Sequence, residues 1–414
     1  MRHAVSALQL FFGKAYARTF GVELWDGTRI YGRERERFVL RVKEAGALRV
    51  AFRPPFDLSA GRAFAAGLIE CDHDVESAVD TLLQAVNDLT PMRAVQLWWH
   101  LRHLPMPTLP SLHEAHLRGA VHSRARDLAA IGFHYDLSLQ FYAAFLDANL
   151  VYSCAYYRNG ITTLDAAQNA KLDYILRKLR VSPGERFLDI GCGWGALIIR
   201  AAQCGATALG ITLSHSQYEE ARRRIEAAGV ADRARVELRD YRDLAGEQFD
   251  KIASVGMFEH VGRVKLREYF SAANAALRPG GLFLNHAIAA HGLRTTHNER
   301  SFIERFVFPD GELVSIVEAL ECARAAGFEV RDVESLREHY TKTLRAWVTN
   351  LERNRLEAVA AASEESYRVW RLYMAASAQG FRTGRLNIYQ SLLARPRPDG
   401  SIDMPSTRED IYST

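Results

Sequence analysis

The apolar positions change period along the chain, and the changes mark out its organisation. Residues 4–13 have helical spacing, and two runs, 21–31 and 38–52, read as strands on either side of the charged segment 33–37. Helical spacing returns over 61–69 and 75–86. This mixture predicts a small α+β unit. From residue 185 onward the pattern is regular: short apolar runs at 187–190, 207–213, 235–238, 249–255, 281–288, 328–333 and 386–393 alternate with helical stretches at 196–204, 214–228, 264–277 and 313–326. Repeated β-α units build a mainly parallel sheet covered on both faces. Its ligands sit at the C-terminal ends of the strands, near the switch in strand order. The fold class expected is therefore α/β, preceded by a smaller α+β domain. Pro105, Pro107 and Pro110 and a polar stretch from His113 to Asp127 separate the two, which gives domains 1–110 and 129–414 joined by a linker over 111–128.

The most informative stretch is Glu-Arg-Phe-Leu-Asp-Ile-Gly-Cys-Gly-Trp-Gly, residues 185–195. An apolar run breaks into glycines at 191, 193 and 195 and then into a helical segment, so it reads as strand, tight turn, helix. Glycine permits positive φ and removes the Cβ that would hold off a ligand, and Asp189 ends the strand with a carboxylate suited to a cation or an amine. The competing reading is a purely structural turn. Asp189, Thr212, Asp240, Glu259 and His286 all fall at or just beyond strand ends, and that convergence favours a site. The spacing Gly-x-Gly-x-x-Gly is absent, and the segment 210–214 carries no acid to grip ribose hydroxyls, which argues against a nicotinamide cofactor and for S-adenosylmethionine. Residues 256–262 lack the Asn/Asp-Pro-Pro-aromatic motif of base-flipping methyltransferases, so nucleic acid is not the expected substrate.

Composition adds bounds. The 414 residues are 48% hydrophobic and 25% charged, ordinary for a two-domain globular chain, and the net charge of +4 suits an anionic lipid surface without requiring one. The five cysteines, 71, 154, 192, 204 and 322, form no Cys-x-x-Cys pair, so neither a disulfide framework nor a zinc site is expected and a reducing cytoplasm fits. His100/His103 and His113/His116 read as solvent-facing helix positions, and no metal is expected. No apolar run approaches the roughly 18 residues needed to span a bilayer. Residues 1–17 imitate a signal peptide, but Ser6, Gln9 and Lys14 interrupt the pattern, which reads better as an amphipathic helix. Aromatic residues crowd 133–157, with the polar Tyr152-Ser153-Cys154 set among them.

Residues 129–394 resemble the cyclopropane fatty acid synthase family, which includes the mycolic acid cyclopropane synthases. The resemblance is carried by Tyr152-Ser153-Cys154-Ala155-Tyr156, Asp189 to Gly195, Gly210 to Ser214 with Gln217, Asp240-Tyr241-Arg242-Asp243, Gly256 to Gly262, His286-Ala287-Ile288, and Tyr340 followed by Thr343-Leu344-Arg345-Ala346-Trp347. The N-terminal unit also resembles the lipid-binding accessory domain of the family's phospholipid enzymes. The resemblance implies a class I methyltransferase with a seven-stranded Rossmann-like sheet, and methylene transfer from S-adenosylmethionine to the cis double bond of an acyl chain. It implies cofactor contacts at Tyr152, Ser153, Asp189, Gly191, Cys192, Gly193, Gly195, Thr212, Leu213, Ser214, Gln217, Asp240 and Tyr241. It further implies a bicarbonate held by Cys154, Glu259, His286, Ile288 and Tyr340, with Tyr135, Phe141, Tyr156 and Phe258 as candidates to shield a carbocation. Two departures stand out: the late helix has Ala375-Ala376-Ser377-Ala378 where relatives often carry a cysteine, and the loop 291–310, with His297, Arg300 and Arg305, matches loosely and is expected to cover the site. The expected partners are unsaturated phospholipids at the inner face of a membrane, met peripherally through Arg118, Arg124 and Arg126, and a homodimer is compatible with the sequence. Two alternatives keep the fold. One is a methyltransferase leaving a methyl or methylene branch on the acyl chain. The other is a non-catalytic lipid binder.

Overall fold

The structure, a computed structural model, describes residues 1–13, 20–30, 36–135, 137–290 and 301–412. They form two compact units. One comprises Met1–His116, Asn298–Pro309 and Trp347–Gly380, the other Leu117–His297, Asp310–Ala346 and Phe381–Thr414.

The first unit is built on a sheet of four short strands, β1 (Phe20–Glu23), β2 (Arg29–Ile30), β3 (Phe38–Val42) and β4 (Ile69–His73), in the order β2-β1-β3-β4. β1 and β3 run parallel, and the outer pairs are antiparallel. The helix Arg2–Phe12 is amphipathic as expected, burying Ala4, Ala7, Leu8, Phe11 and Phe12 in the unit's core. Three local expectations are corrected. The run 38–52 is a strand only to Val42, and Ala47–Ala51 is helical. The break falls at Gly46, where a Cβ would lie 2.7 Å from Pro107 Cδ. The helix expected over 61–69 is Phe56–Ala65, stopped by Gly67 in the left-handed region, and 69–73 is instead the edge strand β4. Its sequence, Ile-Glu-Cys-Asp-His, is half polar because one side faces water. Residues 347–380, placed with the catalytic domain by sequence position, cluster with the first unit. Their apolar side chains Val348, Leu372 and Ala375 join its core, Arg371 donates to the Cys71 carbonyl at 2.8 Å, and Gln379 donates to Asp80 at 2.8 Å.

The second unit holds the seven-stranded sheet. Its strands are β5 (Arg186–Ile190), β6 (Thr207–Thr212), β7 (Ala234–Leu238), β8 (Phe249–Val255), β9 (Leu277–Ala290), β10 (Glu329–Ser335) and β11 (Leu386–Ala394), in the order β10-β11-β9-β8-β5-β6-β7. All neighbours pair in parallel except β11, which is antiparallel to both of its own. Both faces are buried, which explains the continuous apolar runs: Phe187 enters the core on one face, and Leu188 and Ile190 enter the core on the other. Each such burial contributes on the order of 2 kcal/mol. The helix Leu164–Leu179, capped by Thr163, was not foreseen; it packs Leu172, Ile175 and Leu179 on the first of these faces. Strand order reverses between β5 and β8, so the crevice beyond their C-terminal ends is where a ligand belongs. No helix among the described residues is long and apolar enough to cross a membrane.

Candidate active site

The cleft begins at the end of β5. Gly191, Gly193 and Gly195 all have positive φ, at 79°, 54° and 88°. Only the first is forced by crowding, since a Cβ there would come within 2.8 Å of Met257. A Cβ on Gly193 would meet nothing within 4 Å, so the turn is open on that side to an incoming group. Asp189, at the strand's last turn, is buried with Oδ1 lacking a hydrogen-bond partner, and burial pushes its carboxyl up to about 7, with Lys171 pulling the other way.

Lys171 is the member of this cluster that sequence reading missed. It sits in the helix Leu164–Leu179, is 2% exposed, and donates to Ser153 Oγ at 3.0 Å. Burial lowers its ammonium to about 8, while Asp147 and Asp189 support its charge. One helical turn earlier, Gln168 donates to the carbonyls of Val151 and Ser153 at 3.1 and 2.9 Å, which fixes the Tyr152-Ser153 loop. A sequence signal existed: Gln168 and Lys171 are polar residues on the buried stripe of an amphipathic helix.

Tyr152, Ser153, Asp189, Gly191, Cys192, Gly193, Thr212, Leu213, Gln217 and Tyr241 line one cleft, together with Lys171, Tyr135, Trp194, His260, Arg239 and Arg242. Three expected cofactor contacts do not line it. Gly195 starts the helix Ala196–Gln203, and its Cβ would press to 3.2 Å from Ala221. Ser214 caps the helix His215–Ala227 by accepting from the Gln217 N–H at 3.3 Å. Asp240 is engaged by its neighbour Arg242, whose guanidinium donates to both carboxylate oxygens at 2.8 and 2.6 Å. The cation of that pair, rather than the anion, reaches the cleft wall.

A second cluster lies beyond the end of β8 and beside the last residues of β9; His286, expected at a strand end, is inside β9, which runs on to Ala290 past the end of β8. The turn after β8 is pinned where the Gly256 N–H donates to the His286 carbonyl at 2.9 Å. Glu259 is buried, its Oε1 accepts from the Ile288 N–H at 2.7 Å, and its Oε2 has no partner. Burial pushes this carboxyl up to about 7. His286, two residues before Ile288 on β9, is fully buried; Gln390 on β11 approaches its Nδ1 at 3.4 Å, and Nε2 lacks a partner. Burial, with the charges of Lys171, Lys178 and His339, holds it well below the usual imidazole range, so it is neutral. The helix Arg337–Arg353 brings Tyr340 toward the same place, because Leu336 donates to Ile388, which pairs with Ile288, and the Tyr340 N–H donates back to Leu336. Cys154 Sγ lies 3.8 Å from the Leu336 carbonyl and is pushed up by burial, so it is a thiol and no nucleophile. Next to it the Ala155 N–H donates to Thr343 at 3.0 Å.

The aromatic candidates separate. Tyr135 lines the cleft, with Trp194 at 6.5 Å and Tyr152 at 6.4 Å between ring centroids. Phe141 packs with Tyr142 and Phe145, Tyr156 stacks on Tyr174 at 4.2 Å, and Phe258 lies in the core against Tyr269. Of the arginines expected to meet head groups, Arg124 pairs with Asp243, at 2.9 and 2.8 Å, and Arg126 with Asp310, at 2.5 and 2.7 Å. Both charges are thus matched within the protein. Arg118 is exposed. His297 and Arg300 lie outside the described residues, while Arg305 donates to the Ala115 carbonyl at 3.4 Å within the first unit. No group of His, Cys, Asp and Glu among the described residues is arranged to hold a metal ion.

The cleft fits a cationic cofactor: a buried, unpartnered carboxylate oxygen faces an open glycine turn at the switch point of a doubly covered sheet. Sheet and cleft together define a class I S-adenosylmethionine-dependent methyltransferase. Within that class the chain belongs to the mycolic acid cyclopropane synthetase family, whose model matches residues 122–391. A probable fatty acid methyltransferase of Pseudomonas putida is 39% identical over 405 residues, 94% of this chain and 95% of its own. Tuberculostearic acid methyltransferase UfaA1 of Mycobacterium tuberculosis is 39% identical over 288 residues, 67% of each chain. Among solved structures, mycolic acid cyclopropane synthase CmaA1 complexed with SAH and CTAB is similar at TM-score 0.61 and 36% identity, covering 64% of this chain and 97% of that one.

Proposed function

We propose that this enzyme adds a one-carbon unit to the cis double bond of an unsaturated acyl chain carried by a membrane phospholipid and closes it into a cyclopropane ring, working peripherally at the cytoplasmic face. S-adenosylmethionine, when bound, supplies an electrophilic methyl group on sulfur, and bicarbonate, when bound, supplies a weak base. The rest falls to the chain's own residues. The glycine turn and the Tyr152-Ser153 loop hold the cofactor, with Asp189 and Lys171 matching its charges. Tyr135 and Trp194 offer aromatic faces to developing positive charge and keep water from it. Closing the ring requires that the transferred methyl carbon lose one proton, and the second cluster is suited to hold its acceptor.

The observation that carries this reading is the state of Glu259. One carboxyl oxygen is occupied by the Ile288 N–H and the other is buried and unpartnered. A carboxyl with a pKa near 7 retains its proton over much of the neutral range, so Oε2 is where an O–H can donate to a small anion. Neutral His286, through Nε2, and the hydroxyl of Tyr340 are suited to orient the same anion, and the Ile288 N–H fixes the carboxyl that receives it. A bare Glu259 carboxylate would repel an anion instead.

A second reading is supported by the names of two relatives, the probable fatty acid methyltransferase of Pseudomonas putida and tuberculostearic acid methyltransferase UfaA1. In it the same first step ends in a methylene branch, when a hydride shifts along the chain and the transferred carbon then loses a proton, or in a methyl branch beside a retained chain double bond, when a neighbouring chain carbon loses the proton. The test is to incubate the protein with methyl-labelled S-adenosylmethionine and mixed unsaturated phospholipids, then examine the fatty esters before and after hydrogenation. A ring and a methylene branch both add CH2, but only the branch retains a double bond that takes up hydrogen under mild conditions. Absence of label from the lipid fraction would sink both readings.

A further inference from the structure

One helix of the first unit, Pro91–Leu101, is apolar on two sides. Leu97 and Leu101 are buried in the unit's core beside the helix Arg2–Phe12. On the other side Met92, Val95 and Trp98, spaced three residues apart on one stripe, are 74%, 66% and 62% exposed. Trp99 and, just past the helix, Met106 extend the patch. A stripe this large and this uncovered calls for a partner.

Charge says which kind. Acidic residues make up 49 of the 414 positions, yet none occurs between Asp88 and Glu114, and none precedes Glu23. The same stretches carry Arg2, Arg93 and Arg102, with His3, His100 and His103 drawn together around Trp99: His3 is stacked on His103 at 4.6 Å, and the Trp99 ring is 4.6 Å from His103. Arg102 lies over the Trp98 ring at 5.4 Å. Indole rings beside arginines, with carboxylates excluded, make up the composition of an element that lies in a headgroup layer. A second copy of this chain would bring the same basic side chains face to face, which disfavours a self-complementary dimer through this surface.

We propose that the exposed stripe of helix Pro91–Leu101, centred on Val95 and Trp98 and flanked by Arg102, docks the protein on an anionic lipid bilayer, with the indoles entering the boundary between headgroups and acyl chains. This deepens the acyl-chain reading above and rests on it for its purpose, but its test is separate. The full chain is sedimented with vesicles of phosphatidylcholine alone and with phosphatidylglycerol added, as wild type, as Val95→Glu with Trp98→Ala, and as Arg102→Glu. Both apolar positions are exposed, so the fold should survive, and thermal midpoints check that. The wild type should prefer the anionic vesicles, and the double variant should bind them about tenfold or more weakly. Arg102→Glu should weaken binding less and flatten its salt dependence. Label transfer to phospholipid dispersed in detergent should be unchanged in all three. Failure of that transfer in every protein counts against the acyl-chain reading only, since vesicle binding decides the surface by itself. Equal binding by wild type and double variant, no preference for anionic lipid, or loss of a dimer in the double variant while vesicle binding persists would each overturn the proposal.

Discussion

Asp189 and Glu259 end or follow neighbouring strands, β5 and β8, and look alike at first. Both are fully buried carboxyls pushed up to about 7 by burial, and each keeps one oxygen without a partner. They differ in what surrounds them. Asp189 shares its surroundings with the ammonium of Lys171, whereas Glu259 has a backbone N–H and a neutral histidine's strand beside it and, among the described residues, no cation acting on it. The same functional group is therefore set for opposite uses. Near a lysine, and with an open glycine turn in front, a carboxyl is ready to ionise when a cation arrives. In uncharged surroundings it is ready to stay protonated and donate. Each difference can be broken separately.

The largest expected effect comes from removing the donor. Glu259→Ala should lower turnover by about 10²–10⁴-fold, the range for losing a positioned proton-transfer or charge-stabilising group, while leaving S-adenosylmethionine affinity near normal. His286→Ala and Tyr340→Phe should follow the same pattern. The combined losses should fall well short of additive, as the proposed action of all three on one anion requires. Stripping bicarbonate from the buffer should slow the wild type, and restoring it should recover the rate. Stopped assays with and without added bicarbonate, paired with calorimetric cofactor binding, check both; full activity without carbonate would remove the role assigned to Glu259.

Next in size is the glycine turn. Gly193→Val puts a branched side chain, at a φ of 54° that such residues avoid, into the open side of the turn, and should weaken S-adenosylmethionine binding by at least about 100-fold. Gly191→Ala meets Met257 instead of the open cleft and should cost stability first. Normal affinity in the Gly193 variant, measured by calorimetry, would take the turn out of the site.

The comparison also separates what the sequence made legible from what it did not. The sheet could be read because its strands are buried on both faces, so β5, β6 and β8 appear as mostly apolar runs, broken in β5 by Asp189 and in β8 by Asp250 and Lys251. β4, half exposed, could not, and neither could the helix Ala47–Ala51, which follows a strand with no polar interruption except the residues around Gly46. At the site, residues on glycine turns and strand ends announce themselves by type and place. Lys171 does not: it lies on a helix absent from the expected elements, and only the fold points its side chain at Ser153. Asp240 shows the converse, an acid at the right strand end whose charge is taken by a residue two places on. Residues 347–380 look like a continuation of the catalytic domain because chain order carries no information about which core a returning helix will join.

The smallest effects are protonic, and they test the contrast most directly. Both carboxyls have folded-state pKa values near 7, above their ordinary 3.8 and 4.5, so the folded protein holds protons that the unfolded chain gives up. Stability from these groups must then decline as pH rises from about 4 to 7 and level off above that, and Glu259→Gln, which has no proton to lose, should show a shallower decline in thermal midpoint. Cofactor binding separates the two sites. A cationic ligand beside Asp189 favours its ionised form, so binding near pH 6.5 should release a fraction of a proton that fades above about pH 8, and Glu259 should contribute nothing to it. Removing the lysine makes the first site resemble the second. With Lys171→Met the Asp189 carboxyl loses a charge that holds its pKa down, so proton release on binding should persist to higher pH than in the wild type. Calorimetry in two buffers of different ionisation enthalpy measures that release. A wild type that releases no proton near pH 6.5, or a Lys171→Met protein with an unchanged pH profile, would mean that the lysine and the aspartate are not coupled as their burial implies.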